Sequence, residues 1–265
     1  MAPSTTTAPE SIVGALRGDR SSRPPRDIES ATALRSQLEE EIAAVLGARA
    51  RMAPLVIRSS SLGRVRDTAH LADTASARLR GVLVNELLRL HVVGVVVTRP
   101  FEDATAAWLS EQSNAELVAH FEQLDPEELA RLATDVTAHY VTLSRAIGRF
   151  SQQWTTRTAQ QASQRLGGGR VLLRDLVDLV AGSSTSEVTS VVLVDLTTAP
   201  LGENAERAVR YHALVQTLRT GVVPLRSAVF STATGELSTR DVDGELLAEG
   251  VTDVIAAVRA LATTS

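Results

Sequence analysis

The sequence predicts an α/β fold in which a mixed central β-sheet is flanked by helices and the N-terminal half is helical. Three observations carry that expectation. Apolar residues recur at helical spacing through much of the first 150 residues. Two β-rich apolar runs follow, residues 171–180 and 191–195, each bounded by turn residues. Behind them, strand-like and helix-like segments alternate in the order β-β-α-β-β-α.

Taken in order, residues 1–27 hold Thr, Ser, Pro, Gly and spaced arginines with almost nothing apolar, the composition of a disordered, solubilising tail. Residues 28–265 are expected to form one domain, mostly helical to residue 160 and a sheet core from 161. Ile28, Leu34, Leu38, Ile42 and Leu46 mark a helix over 28–50, with Gly47 as its stop. Leu79, Val82, Leu83, Leu87 and Leu90 mark a second. Ser113 and Glu116 have capping-box spacing for a short third helix. Asp125 and Pro126 open the longest helix, as N-cap and first residue. Its stripe runs through Leu129, Leu132, Val136, Tyr140, Leu143, Ile147 and Phe150.

Gly167-Gly168-Gly169 reads as a turn, because it precedes a strand and not a helix. The runs 171–180 and 191–195 then read as a hairpin. A helix over 204–220 ends at Gly221, followed by a strand at 225–231, a turn at Thr234-Gly235, a short strand and a last helix over 246–261. The segment Asp241-Val242-Asp243-Gly244-Glu245 echoes a calcium loop without its later ligands and is read as a helix N-cap.

Composition then removes whole classes of chemistry. All 27 basic residues are arginines and there is no cysteine, so this chain alone supplies no Walker-type lysine, Schiff base, thiolate nucleophile or Cys-ligated metal. Aromatic residues make up 3%, too few for a base-stacking platform along a single strand. No apolar run is long enough to span a bilayer, and residues 1–26 lack a signal-peptide core. No membrane partner and a cytoplasmic location are therefore expected. The net charge of −4 argues mildly against a DNA binder. Against it stand Arg58, Arg64, Arg66, Arg78, Arg80 and Arg89, which face only Asp67, Asp73 and Glu86 in the same stretch.

The sharpest constellation is Asp178 with Asp195. A carboxylate inside an apolar strand is costly unless it is paired, hydrogen-bonded or metal-bound. Two of them on neighbouring strands suit Mg²⁺ or Mn²⁺, which prefer oxygen ligands; a turn cap or a pairing with Arg174 is the alternative. His91, His120, His139 and His212 are isolated, and His70 with Asp73 makes only a two-residue set. All are read as ordinary polar or partly buried side chains.

The order of motifs resembles the RecB-like branch of the PD-(D/E)XK nuclease superfamily. Val171–Val180 and Val191-Val-Leu-Val-Asp-Leu-Thr-Thr198 resemble that family's hairpin, in which one Asp follows the first strand and the second strand ends in D-x-K-T. Arg80-Gly-Val-Leu-Val-Asn-Glu-Leu-Leu88 resembles its upstream helix with a metal-contacting His. Arg207-Ala-Val-Arg-Tyr211, with Gly221-Val-Val-Pro224 behind it, resembles its Q-x-x-x-Y helix. The likeness spans roughly residues 55–260. Asp178, Asp195 and Tyr211 stand at matching positions, but Asn85 replaces the His, Thr197 the catalytic Lys and Arg207 the Gln. The resemblance thus implies a catalytic set of Asp178, Asp195, Thr197 and Tyr211 that has degenerated. Asp178 and Asp195 would be the metal ligands if the site is retained, with Mg²⁺ or Mn²⁺, and otherwise no cofactor is expected.

Three functions follow as expectations. The first is a degenerate RecB-like fold that binds DNA or scaffolds a protein partner in a DNA-processing or defence assembly. Arg64, Arg66, Arg78, Arg80, Arg174 and Arg207 are its candidate nucleic-acid contacts. The second is an active Mg²⁺-dependent DNA nuclease with a non-standard third residue. The third is a protein–protein adaptor with no nucleic-acid role. Oligomeric state is left open.

Overall fold

The computed structural model describes residues 28–47, 53–62, 74–111, 114–148, 155–182 and 191–263, together with Ile12 and Leu16. Within these residues a six-stranded mixed sheet is flanked by seven α-helices. The expected α/β class, with its helical N-terminal half, is the fold found.

Helix α1 (Glu29–Leu46) buries Leu38, Ile42 and Leu46 and stops at Gly47, whose φ of 55° few other residues adopt. Strand β1 (Leu55–Ile57) follows, then a 3₁₀ turn at Ser59–Ser61. Helices α2 (Thr74–Val92), α3 (Pro100–Ser110), α4 (Ala115–Glu122) and α5 (Pro126–Ile147) complete the helical half. Asp125 and Glu128 form the capping box that opens α5. The cap of α4 differs from expectation. Asn114 accepts from the Leu117 N–H, so the helix starts one residue later than Ser113 would set it. Ser113, like Phe150, His70 and Asp73, lies outside the described residues.

The sheet is built from β2 (Thr156–Leu166), β3 (Val171–Ala181), β4 (Val192–Thr197), β5 (Arg226–Ser231) and β6 (Leu237–Asp241), with β1 added from the helical half. Helix α6 (Glu203–Thr220) lies between β4 and β5, and α7 (Gly244–Thr263) closes the described chain. The Asp243 carboxylate accepts from the Leu246 N–H, as an N-cap should. Strands β3 and β4 pair antiparallel, as expected of a hairpin. The tight hairpin, however, is β2–β3 across the triple glycine, and β2 starts before residue 161, where the sheet part was expected to begin.

Strand β2 takes the whole of one edge of β3. The other edge is shared: β1 pairs in parallel with 171–173 and β4 antiparallel with 179–181. Residues 174–178 between them have no strand partner on that side. The sheet therefore forks, and the candidate site sits in the fork.

Helices cover both faces. Under α1, α6 and α7 lie Val171, Leu173 and Val229; under α2 and α5 lie Leu179, Val194 and Phe230. A third cluster, with Leu83, Trp108 and Val136, holds the helices to one another. Ile12 and Leu16, inside the stretch expected as a disordered tail, are buried beside Val84 and Leu88. The rest of 1–27 lies outside the described residues.

Candidate functional site

Strand β3 changes face inside the fork. Val171 and Leu173 point toward α6, whereas Leu179, an even number of residues further on, points toward α2 and α5. A regular strand would keep them on one face. The irregularity falls at Asp178: its place opposite Ala159 drops out of the β2–β3 ladder, and Ala159 has a φ of 51°. The distortion brings Asp178 beside Asp195 of β4.

Asp178 is buried and fully engaged. One oxygen accepts from the Asn85 side-chain amide at 2.8 Å and the other from the Leu196 N–H at 2.7 Å. Asn85 reaches it from the sheet-facing side of α2, next to the Val84 and Leu88 stripe. The Asp178 and Asp195 carboxyls lie close enough to shift one another's titration. Burial, and then the neighbouring Asp195, push Asp178 well above the usual carboxylate range. Burial pushes Asp195 the same way, but His212 and the neighbouring Asp178 outweigh it and hold Asp195 low. Protonation is therefore favoured at Asp178 over Asp195.

His212 of α6 closes the network. Its Nδ1 lies 2.8 Å from Asp175 Oδ1 on β3, and its Nε2 lies 3.4 Å from Asp195 Oδ2, off hydrogen-bond alignment. Burial disfavours the imidazolium, yet the two flanking carboxylates raise His212 well above its ordinary value. Asp175 Oδ2 and His212 Nε2 have no hydrogen-bond partner among the described residues. Asp175 was not singled out from the sequence, and His212, read there as isolated, is instead buried and paired with Asp175. Asp175 was findable by the reasoning applied to Asp178, a carboxylate in an apolar strand. His212 carried no local signal.

Tyr211 and Thr197 take other roles than the catalytic ones the resemblance implied. The buried Tyr211 hydroxyl points at two backbone carbonyls across the fork, Ile57 at 2.8 Å and Arg174 at 2.9 Å. Burial pushes its phenol up, so it stays protonated and donates. Thr197 Oγ1 accepts from the Ala199 N–H, closing a turn, while its carbonyl accepts from Thr232. The Thr232 hydroxyl also meets the buried His139 ring, tying the end of β4 to α5.

A cavity of about 590 Å³ opens above the fork, lined by Arg58, Ser59, Ser163, Arg174, Asp178 and Asp195 among others. Of the six arginines expected to contact nucleic acid, Arg174 alone is seen to line it. Arg78 pairs with Glu116 (3.8 Å), Arg80 with Asp135 (3.2 Å) and Arg207 with Glu203 (3.5 Å). Arg64 and Arg66 lie outside the described residues.

Asp178 is placed for N–H donors more than for a divalent cation. Both Asp178 oxygens already accept N–H donors, and Asn85 turns its amide nitrogen, which has no lone pair to give, toward the site. Among the described residues, no group of three or more His, Asp or Glu side chains is placed to hold a metal ion. No described helix is long and apolar enough to cross a membrane.

No protein-family model and no curated protein matches the chain. Among solved structures it is similar to the crystal structure of SSO0001, at 10% identity and a TM-score of 0.34, covering 86% of this chain and 85% of that one. A likeness at that level carries no argument about what the chain does.

Proposed function

We propose that the chain is a RecB-like nuclease relative without the reaction, acting as a DNA-binding subunit of a DNA-processing or defence assembly. One observation supports this reading above the others. Asn85, Asp178 and Asp195, the residues that the resemblance aligns with a metal centre, come together at one point, where the Asn85 amide donates to Asp178 beside Asp195. A site that keeps the placement of its ligands while turning amide donors onto them has exchanged coordination for a hydrogen-bond network. The arginines of the cavity then supply attraction for phosphate without hydrolysis.

The test is binding and cleavage of DNA by the intact chain. Fluorescence anisotropy across a salt series is expected to give an affinity that falls steeply with ionic strength. Incubation with single- and double-stranded DNA in Mg²⁺ or Mn²⁺ is expected to leave it uncut. Metal-dependent cutting that disappears in Asp195→Ala would establish the active-nuclease alternative instead. No binding even at low ionic strength would favour the adaptor.

A further inference from the structure

We infer that Arg58 and Arg174 form a metal-free phosphate subsite for single-stranded nucleic acid, and that the Tyr211 hydroxyl positions both. The inference rests on the DNA-binding reading and goes beyond it, naming the strand type, the two contacts and the group that sets their spacing.

Both arginines are exposed and both line the cavity. Neither ion-pairs with a described carboxylate, whereas Arg78, Arg80, Arg89 and Arg207 each do. Of the acids beneath them, Asp175 is paired with His212 through one oxygen, Asp178 accepts from Asn85 and the Leu196 N–H, and Asp195 faces the His212 ring at 3.4 Å. Two unneutralised guanidinium groups at one opening are a fork-shaped donor set suited to phosphate oxygens. Ser59, Ser60, Ser163 and Gln161 add uncharged donors along the same wall.

The backbone carrying these arginines is held firmly. Tyr211 bridges the carbonyl of Ile57, the residue before Arg58, to that of Arg174 itself. The Arg58 N–H and carbonyl are both bonded to the Ser61 hydroxyl, at 2.9 and 2.6 Å. Arg174 stands opposite Ser163 in the β2–β3 ladder. A single buried hydroxyl thus sets β1 against β3 where the fork has no strand pairing. A cavity of about 590 Å³ is of the size that takes a small ligand, here one nucleotide unit, which an unpaired strand is free to turn into it.

The experiment uses the full chain in EDTA, with labelled oligonucleotides that carry or lack a 5′-phosphate, a blunt duplex, and inorganic phosphate as competitor. Single strands are expected to bind, and phosphate to compete. Arg58→Ala and Arg174→Ala are each expected to weaken binding roughly tenfold. Each is also expected to flatten the plot of log affinity against log salt by about 0.7. Tyr211→Phe is expected to weaken binding in the same sense, with no further loss when added to the double arginine variant. A purely structural role for Tyr211 would lower stability without removing that dependence on the arginines. A gain from the 5′-phosphate assigns the terminal group and no gain assigns internal phosphodiesters; either keeps the subsite. DNA binding unchanged in both arginine variants overturns the subsite and leaves the DNA-binding reading intact. Arginine-dependent binding of inorganic phosphate without any DNA binding overturns that reading and leaves an anion site. Equal affinity for the blunt duplex overturns the single-strand assignment, and absence of both DNA and phosphate binding by the wild-type chain overturns both.

Discussion

Asp178 and Asp195 stand side by side at the fork although they lie on different strands, and their surroundings drive them apart, Asp178 above the usual carboxylate range and Asp195 below it. Asp178 also accepts from Asn85 and from the Leu196 N–H, so one side chain ties α2, β3 and β4 together. Asp178→Ala is expected to leave the Asn85 amide and the Leu196 N–H without their partner. At about 1–3 kcal/mol for each of these two partly buried groups left unsatisfied, the loss is about 2–6 kcal/mol. Asp178→Asn places a donor beside Asp195 and keeps one acceptor, and should cost less than half as much. Urea unfolding of the two variants separates these outcomes; equal losses would show that packing, not the hydrogen bonds, sets the cost.

The same network makes stability depend on pH. The raised value of His212 in the folded chain means that its contribution is fully present below about 6.5 and is lost as pH rises through the folded-state value. Asp178 acts with the same sign, its contribution being complete below about 3.9 and lost as pH rises. Asp195, held low, acts oppositely: its contribution is present above about 3.9 and is lost as pH falls through the folded-state value. Stability is therefore expected to decline from mildly acidic to alkaline pH. His212 contributes about 1.4 kcal/mol for each unit by which its value is raised. Urea midpoints at pH 6 and pH 9 measure the decline, and His212→Gln should flatten it. A midpoint that does not move in the wild-type chain would overturn the charge assignment.

A third carboxylate at position 85 probes the amide contact directly. Asn85→Asp replaces the donor to Asp178 by an acceptor and puts a new charge in a partly buried place. A loss of about 1–3 kcal/mol is expected at neutral pH. It should shrink as pH is lowered toward 4, where the new group is protonated and donates again. Thermal unfolding at pH 7 and pH 4 tests this; a loss independent of pH would mean that Asn85 matters for its shape alone.

How much of this was legible depended on whether a residue's signal was local. The helices were readable because their stripes bury against a core, and Asp125-Pro126 and Gly221 announce ends by chemistry that acts within one turn. Strands β3 and β4 were readable because most of their residues are buried and so form dense apolar runs. Strand β2 was not: Thr-Arg-Thr-Ala-Gln-Gln-Ala-Ser-Gln-Arg lies along the rim of the sheet, alternately half-buried and exposed, with no apolar face to betray it. Within the site, Asp178 and Asp195 stood out as carboxylates in apolar runs. His212 did not, because its meaning comes from Asp175, 37 residues away in sequence and adjacent only after α6 packs across the fork. Thr197 was noticed as a missing lysine, and only its bond to the Ala199 N–H shows what the threonine does instead.

The triple glycine between β2 and β3 gives a prediction in which neighbours should differ. Gly167 and Gly168 have nearly equal positive φ, 60° and 64°, so a side chain at either position meets the same left-handed backbone strain, about 1 kcal/mol. Their surroundings are unlike. A Cβ at Gly168 would meet nothing within 4 Å, whereas one at Gly167 would lie 2.5 Å from Ile42 Cγ2, in the core under α1. The Gly167 N–H also donates to Glu39 at 2.6 Å, fixing the turn to the same helix. The turn therefore cannot back away from Ile42 without losing that bond. Gly168→Ala is expected to cost about 1 kcal/mol and Gly167→Ala a further 1–3 kcal/mol, roughly the cost of overpacking a filled core. Pairing Gly167→Ala with Ile42→Val, which removes a methyl from the crowded side chain, should recover part of the difference. Thermal unfolding of the three variants decides it: equal losses at 167 and 168 would mean that α1 is not seated on the turn as the Ile42 contact requires.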